Sequence, residues 1–511
     1  MKVLLIYPDI LGHHRDWTGY FYMGLASIAA TLKLAGHSPT LLHITRKALR
    51  QDEFLERVNR EGPDLIGFSS TSHMFSLVTE MAGWLADCRI KVPVICGGIH
   101  ATIAPEEVIA TRGITLVCRG EGEEPLVELC DQLSRGRAVD AIHNLWLRKG
   151  DEVIRNPVRQ PRTNLDELPY PDRSLFDYPT LYFERRGTAV VMASRGCPYD
   201  CSYCCNHLLR EVNGGKAVRF RGVENLLGEM RRIIRQYPFV RRFHFDDDIL
   251  FLDRRWAAEF ASRYPAEIGF PFECNGRADI TDEHMVALMK KAGCRLVKIG
   301  VESGNERISN DILNRRLSNA QIRKAFAACK AAGIGRESFN MLGVPTDTVH
   351  TMLDTIKLNA EIAPDQTSAT IFQPYYGTRL AKLCQEQHLA AGHRINADVF
   401  SGSNLDLPGA TRAQILMLRD YFKILIVMYW MLGRLPAGLN RRLVALADSI
   451  LSWRATARFL NFLHVPLEAL RQLILVAIMK VHLFRQKRFA TACPPPPAAS
   501  GACAGVGNQL A

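Results

Sequence analysis

Cys197, Cys201 and Cys204 stand in a C-x3-C-x2-C run inside RGCPYDCSYCCNH (195–207), directly after the apolar stretch TAVVMAS (188–194). Thiolates are the ligands of iron–sulfur clusters, and a cubane needs four of them. Three cysteines in one loop hold three irons and leave the fourth open to a small chelating ligand. A structural zinc site, with Cys205 or His207 as fourth ligand, is the alternative. Such sites usually pair two C-x2-C knuckles far apart in sequence, and no second knuckle follows here. The spacing therefore favours a cluster, with Cys205 a spare thiol beside it. The chain has 14 cysteines and opens on MKVLLIYPDI, whose apolar run is too short for a signal-peptide core. A reducing, cytoplasmic setting in which thiols bind metal or react is the expectation.

Elements must hold that loop in place. Over 1–145, apolar runs alternate with helical stretches: VLLIY (3–7), PTLLHI (39–44), DLIGFSS (64–70), VPVICGG (92–98) and ITLVCRGEGE (114–123). Continuous apolar strands between helices predict a parallel, doubly wound sheet, with its ligand crevice at strand ends rich in Gly and Ser. Pro157, Pro161, Pro169 and Pro171 mark a linker over 146–185. A second alternation, over 186–395, runs through TAVVMAS, RFHFDD (242–247), FPFECN (270–275), LVKIGVES (296–303), ESFNMLGVP (337–345) and TSATIFQP (367–374). Six repeats suggest a partial (β/α) barrel, although periodicity alone does not separate a barrel from a flat sheet. The region 396–490 reads as helical, and the tail 491–511, CPPPPAASGACAGVGNQLA in its larger part, as disordered.

Several further residues invite chemistry. Asp246, Asp247 and Asp248 end a strand, a place where acids are often merely solvated. Glu302 closes an apolar strand, where an unpaired carboxylate is costly. Arg277 suits either a bidentate carboxylate contact or a surface salt bridge. Gly97 and Gly98 allow backbone to approach a large planar or nucleotide-like ligand, and Ser69 to Ser72 offer hydroxyls to a buried tail.

With an aromatic (Tyr203) before its last cysteine, the triplet resembles that of the radical S-adenosylmethionine (SAM) superfamily. HFDDDILF (244–251), GVESGNE (300–306), FNMLGVP (339–345) and PYYGTRL (374–380) follow in matching order, so the resemblance covers about 185–385. GGIHATIAPEEV (97–108) and VCRGEGEEPL (117–126) resemble the cobalamin-binding domain that precedes the barrel in one large class. The resemblance implies a 4Fe–4S cluster on Cys197, Cys201 and Cys204, and SAM contacts from Tyr203, Asp246, Asp247, Glu302, Ser303 and Leu342. Cobalamin contacts are implied for Ser69, Ser70, Gly97, Gly98, Gly120 and Glu121. One departure is plain: no D-x-H-x-x-G cobalt-ligand motif occurs, and neither His73 nor His100 fits it. His13 and His14 read as loop residues.

The activity so implied is methylation of an unactivated carbon in a small-molecule or lipid-like substrate. One SAM would yield a 5′-deoxyadenosyl radical and another would remethylate cobalamin. Cyclisation, rearrangement or oxidation without methyl transfer is the alternative, and a non-catalytic corrinoid- or metal-binding protein a third reading. A flavodoxin- or ferredoxin-like electron donor is implied. The net charge of +12 is spread along the chain and no RNA-binding module is visible, so nucleic acid is not an expected partner. No run of eighteen apolar residues predicts a membrane span. AQILMLRDYFKILIVMYWMLGRL (413–435) and PLEALRQLILVAIMKVHLFRQ (466–486) read as helices capping the substrate cavity. Their apolar faces and basic ends also suit peripheral membrane contact or a lipid-like substrate.

Overall fold

The computed structural model describes residues 1–10, 17–215, 218–389 and 402–462. His13, His14, the expected helix at 466–486 and the tail at 491–511 lie outside the described residues.

The N-terminal sheet is built from β1 (Lys2–Pro8), β2 (Ser38–Ile44), β3 (Leu65–Ser69), β4 (Val94–Gly97), β5 (Leu116–Cys118), β6 (Leu145–Lys149) and β7 (Glu152–Arg155), in the order β2-β1-β3-β4-β5-β6-β7. The first five are parallel, and the last two add antiparallel at the edge. Alternation along β1 explains its unbroken apolar run. Val3, Leu5 and Tyr7 pack with the helix Met23–Leu34 on one face. Leu4 and Ile6 pack with the helices Gln51–Glu61 and Phe75–Asp87 on the other. The chain reverses direction between β1 and β3, and a doubly wound sheet opens its crevice outside such strand ends.

The expected domain boundary at 145 moves. Leu145–Lys149 and Glu152–Arg155 form a hairpin that completes the sheet, because Trp146 and Leu147 have inward faces to fill. The remaining stretch, 156–187, is no loose linker. Its 3-10 turns bury Leu165, Phe176, Tyr178 and Leu181, and Arg173 pairs with Glu229 at 2.6 Å while its guanidinium covers Phe21 at 4.9 Å.

Six parallel strands follow in sequential order: β8 (Thr188–Val191), β11 (Arg242–Phe245), β12 (Phe272–Gly276), β13 (Cys294–Glu302), β14 (Gly335–Leu342) and β15 (Gln366–Ile371). A short pair, β9 (Ser194–Arg195) with β10 (Arg219–Phe220), frames the cysteine loop. β8 and β15 are the two open edges, so the strands form a partial (β/α)6 barrel. Phe243, Phe245, Phe272, Cys274, Val297, Ile299 and Val301 point outward into the helical layer. Intervening residues face inward.

The helix expected over 413–435 breaks at Tyr421 into Arg412–Asp420 and Phe422–Leu432, and a further helix, Ala437–Ser452, follows Pro436. Phe422, Leu425, Tyr429 and Leu451 join the cluster around the barrel helix Val349–Ile362. Among the described residues, no helix is long and apolar enough to cross a membrane.

Candidate active site at the domain interface

A cavity of about 440 Å³ lies between the C-terminal ends of the two sheets. From the N-terminal domain it is lined by Ser69, Gly97, Gly98, Gly120, Glu121 and an apolar floor of Leu5 and Ile95. From the barrel come Met192, Cys197, Asn206 and Asp246 to Asp248. Nine residues singled out in sequence, drawn from both domains, thus share one space. No residue of 402–462 lines it.

Backbone conformation calls for glycine at Gly98 and Gly120, whose φ angles are +93° and +75°. A Cβ on Gly98 would stand 2.7 Å from the Ser70 carbonyl oxygen. A Cβ on Gly97 would meet nothing closer than 3.7 Å, which leaves open space over the β4 end. Thr102 ties the two glycine turns together: its hydroxyl donates to the Gly98 carbonyl at 2.9 Å and accepts from the Gly120 amide at 3.0 Å. Ser70 is corrected. Its hydroxyl turns to the Thr71 carbonyl at 2.8 Å and it does not line the cavity. His73 meets the Tyr375 phenol at 2.5 Å across the domain boundary, which makes it a domain contact. His100 is buried against Phe75, and desolvation lowers its pKa to about 4.

Glu121 lines the cavity, and its carboxylate accepts from Arg195 at 3.0 Å and Arg219 at 2.6 Å. Glu123, buried beside it, accepts from Arg195 at 2.6 Å and from the Ser27 hydroxyl at 2.7 Å. Two acids of one domain thus grip the arginine that stands two residues before Cys197. Sequence reasoning missed Glu123, Arg195 and Arg219; the acid run after β5 was the available signal.

In the cysteine loop, Cys201 is buried while Cys197 and Cys204 are half-buried. Burial pushes the Cys197 thiol up to about 12, and a coordinated cation is what would draw the proton off. Cys204 shares a hydrogen bond with Cys205. Arg277 is buried: one guanidinium nitrogen stands 3.8 Å from the Cys201 sulfur, another reaches the Arg315 carbonyl, and Nε pairs with Asp279 at 2.9 Å. Neither a surface salt bridge nor a free carboxylate clamp describes it. Among the described residues, no three Cys, His, Asp or Glu side chains converge on a point suited to a single metal ion.

Asp247 differs most from expectation. Its carboxylate accepts the Ala193 amide at 3.0 Å and the Ser194 amide and hydroxyl at 2.5 Å each, all buried. It therefore pins the turn leading into the cysteine loop. Burial raises its pKa to about 6. Asp246 is exposed toward the cavity, and Asp248 accepts from Asn206 at 2.9 Å.

A second group lies behind the loop. Arg315, which sequence reasoning missed, donates to the Tyr203 phenol at 2.6 Å, to Glu302 at 3.2 Å and to the Gly300 carbonyl at 2.5 Å. Glu302 is a non-glycine residue at φ +61°, and burial raises its pKa despite the guanidinium. Ser303 is buried, with its hydroxyl accepting the Asn305 amide at 3.2 Å. The Leu342 side chain is sealed in the apolar cluster and its carbonyl accepts from the Phe372 amide. These side chains have partners of their own and are not drawn to the cavity.

Residues 20–130 match the family model for a B12 binding domain, and residues 191–358 that of the Radical SAM superfamily. An uncharacterized methyltransferase of Pyrococcus horikoshii is 28% identical over 384 residues, covering 74% of this chain and 82% of that protein. The anaerobic magnesium-protoporphyrin IX monomethyl ester cyclase of Rubrivivax gelatinosus is 22% identical over 387 residues, covering 73% and 68%. The solved radical SAM methyltransferase TsrM of Kitasatospora setae, with cobalamin and a [4Fe–4S] cluster bound, superposes at a TM-score of 0.62, with 20% identity over 77% of this chain and 79% of that one. At that identity the likeness speaks for the fold.

Proposed function

We propose that this chain, which belongs to the radical SAM proteins carrying an N-terminal B12-binding domain, methylates an unactivated carbon of a small organic substrate. The observation that carries the reading is the shared cavity. The loop of Cys197, Cys201 and Cys204 and the glycine turns at Gly97, Gly98 and Gly120 open onto one space between the domains.

The residues present fit the groups. The open β4 end over Gly97 and the apolar floor suit the face of a corrin, and the three thiols suit three corners of a cubane. When bound, the cluster with SAM supplies a hydrogen-abstracting radical, and the corrinoid supplies the methyl group. The protein's task is placement. Asp247 holds the turn before Cys197, Arg195 ties that turn to Glu121 and Glu123, and Arg315 holds Tyr203 and Glu302 behind it. Asp246, exposed and, among the described residues, with no side-chain partner closer than His244 at 3.7 Å, is assigned to the amino group of SAM. Tyr203 and Glu302 act on the loop and not on the ligand, in this reading.

Cyclisation or rearrangement is kept as a second reading because of the 22% match to the cyclase. A one-electron donor of flavodoxin or ferredoxin type is required in either. Membrane association is a separate proposal, on the exposed Leu439, Leu446, Ile450 and Trp453.

The test is anaerobic reconstitution with iron, sulfide and cobalamin, followed by reduction in the presence of methyl-labelled SAM. Deoxyadenosine formation is expected, lost in Cys197→Ala, Cys201→Ala and Cys204→Ala and kept in Cys205→Ala. Label in the corrinoid and then in product supports methyl transfer; deoxyadenosine with no labelled corrinoid would favour the second reading. Zinc in place of iron, with no deoxyadenosine, would overturn both.

A further inference from the structure

The interior of the barrel is charged where a hydrocarbon substrate would want it apolar. On β11, Phe243 and Phe245 point outward, so His244 points inward; the same alternation turns Glu273 on β12, Lys298 on β13 and Glu337 on β14 to the inside. The first three are linked: His244 Nδ1 stands 3.3 Å from Glu273, and Lys298 Nζ 3.3 Å from the other oxygen of the same carboxylate. At the cavity end, His244 Nε2 stands 3.7 Å from Asp246, so the row begins at the site already described. The row is only partly sealed: Glu273 keeps 22% of its side chain exposed and Lys298 13%.

Packed barrel interiors are filled by branched apolar side chains, and charges taken out of water are costly unless they are used. Burial of this row is offset inside it for Glu273, which its two cationic neighbours hold down to about 2. Glu337 is the exception. It is in strand register with Lys298, yet Lys298 turns to Glu273, and Glu337 has no hydrogen bond or ion pair among the described residues. Burial raises its pKa, opposed by the neighbouring Lys298 ammonium and by Lys423 and His244, with the Glu273 carboxylate adding to the rise.

We infer that Glu337 is a specificity-determining residue: it accepts hydrogen bonds from a donor-bearing group, an amine or hydroxyl, on a polar substrate held in the barrel interior. The inference rests on the proposed function for its chemistry and narrows its substrate class. An all-hydrocarbon substrate would leave the Glu337 carboxylate desolvated and without a partner, at a cost that a hydroxyl- or amine-bearing one avoids.

Binding can be read without turnover. Saturation-transfer NMR on the full chain would use n-butylamine, n-butanol and n-butyrate as probes, with wild type, Glu337→Gln and Glu337→Asp compared. Folding of each variant is checked by circular dichroism. The expected result is transfer to butylamine, to butanol or to both in wild type, reduced at least fivefold in Glu337→Gln and largely restored in Glu337→Asp, with butyrate unaffected. Loss confined to butylamine identifies an amine, and loss confined to butanol a hydroxyl. Equal transfer in wild type and Glu337→Gln, or no transfer to either donor probe, overturns the inference. Failure of the deoxyadenosine assay, by contrast, would overturn the proposed function and leave this binding result standing.

Discussion

Replacing Asp247 with alanine should loosen the turn into the cysteine loop far more than replacing either neighbouring aspartate. Three buried donors lose their acceptor: the amides of Ala193 and Ser194 and the Ser194 hydroxyl. Hydrogen bonds to a charged acceptor contribute about 1.5–3 kcal/mol each, and an orphaned buried donor costs about 1–3 kcal/mol. The hydroxyl can rotate to another partner and the two amides cannot, so the local cost is about 3–5 kcal/mol. Each 1.4 kcal/mol is tenfold, so amide exchange in a peptide spanning 188–196 should accelerate at least ~100-fold. Hydrogen exchange with mass spectrometry reads this directly. Asp246→Ala, whose carboxylate is exposed, is the control and should leave the peptide unchanged. Equal protection of 188–196 in wild type and Asp247→Ala would refute the role assigned to Asp247.

The same carboxylate has a pH signature. Burial raises its pKa from 3.8 to about 6 in the folded chain. A raised acid favours folding while protonated, so its contribution is fully present below pH ~3.8 and is lost as pH rises through ~6. The two-unit shift corresponds to roughly 3 kcal/mol. Asp247→Asn does not titrate, so the stability difference between wild type and Asp247→Asn should move by up to that amount, against wild type, between pH 4 and pH 7. A difference that stays flat across that range would show that the three donors, which favour the ionised form, outweigh burial.

Gly98→Ala should fail to fold or melt well below wild type, because its Cβ would press on the Ser70 carbonyl in a left-handed backbone. Gly97→Ala should melt normally, and equal melting of the two variants would contradict the geometry. Glu123→Ala strips Arg195 of one partner and Ser27 of its acceptor, a broken buried pair costing about 3–5 kcal/mol. A lowered Tm and faster proteolysis within 156–187 are expected, and an unchanged Tm would count against a domain clamp. Arg315→Met leaves the Tyr203 phenol, Glu302 and the Gly300 carbonyl without their shared donor. Reconstituted iron should fall by more than half, and Arg315→Lys should restore little, since an ammonium does not reproduce the planar fork. Full iron loading in Arg315→Met would mean that Tyr203 and Glu302 do not position the loop.

What could be read in advance follows the distance over which each interaction acts. The three cysteines proposed as cluster ligands sit within eight residues, so their pattern is visible in the sequence alone. The strands were legible wherever both faces are covered, as in VLLIY, and the missed hairpin at 145–155 ends the sheet on a strand, EVIR, with no fully buried residue. Arg315 was invisible because Tyr203 and Gly300 meet it only through the fold, and NRR reads like any solvated basic run. Asp247 is instructive in another way, since its sign was present. Along HFDDD, odd positions continue the buried side of Phe243 and Phe245, and Asp247 is buried against the turn while Asp246 and Asp248 are exposed. Treating the three acids as one polar cluster discarded that parity. The parity that sends Asp247 to the backbone also sends His244, Glu273, Lys298 and Glu337 inward, one from each of four neighbouring strands. A single charged residue on a barrel strand is easily a solvated face. Four in matching phase on consecutive strands, three of them in contact, require an interior that water or a polar substrate can reach.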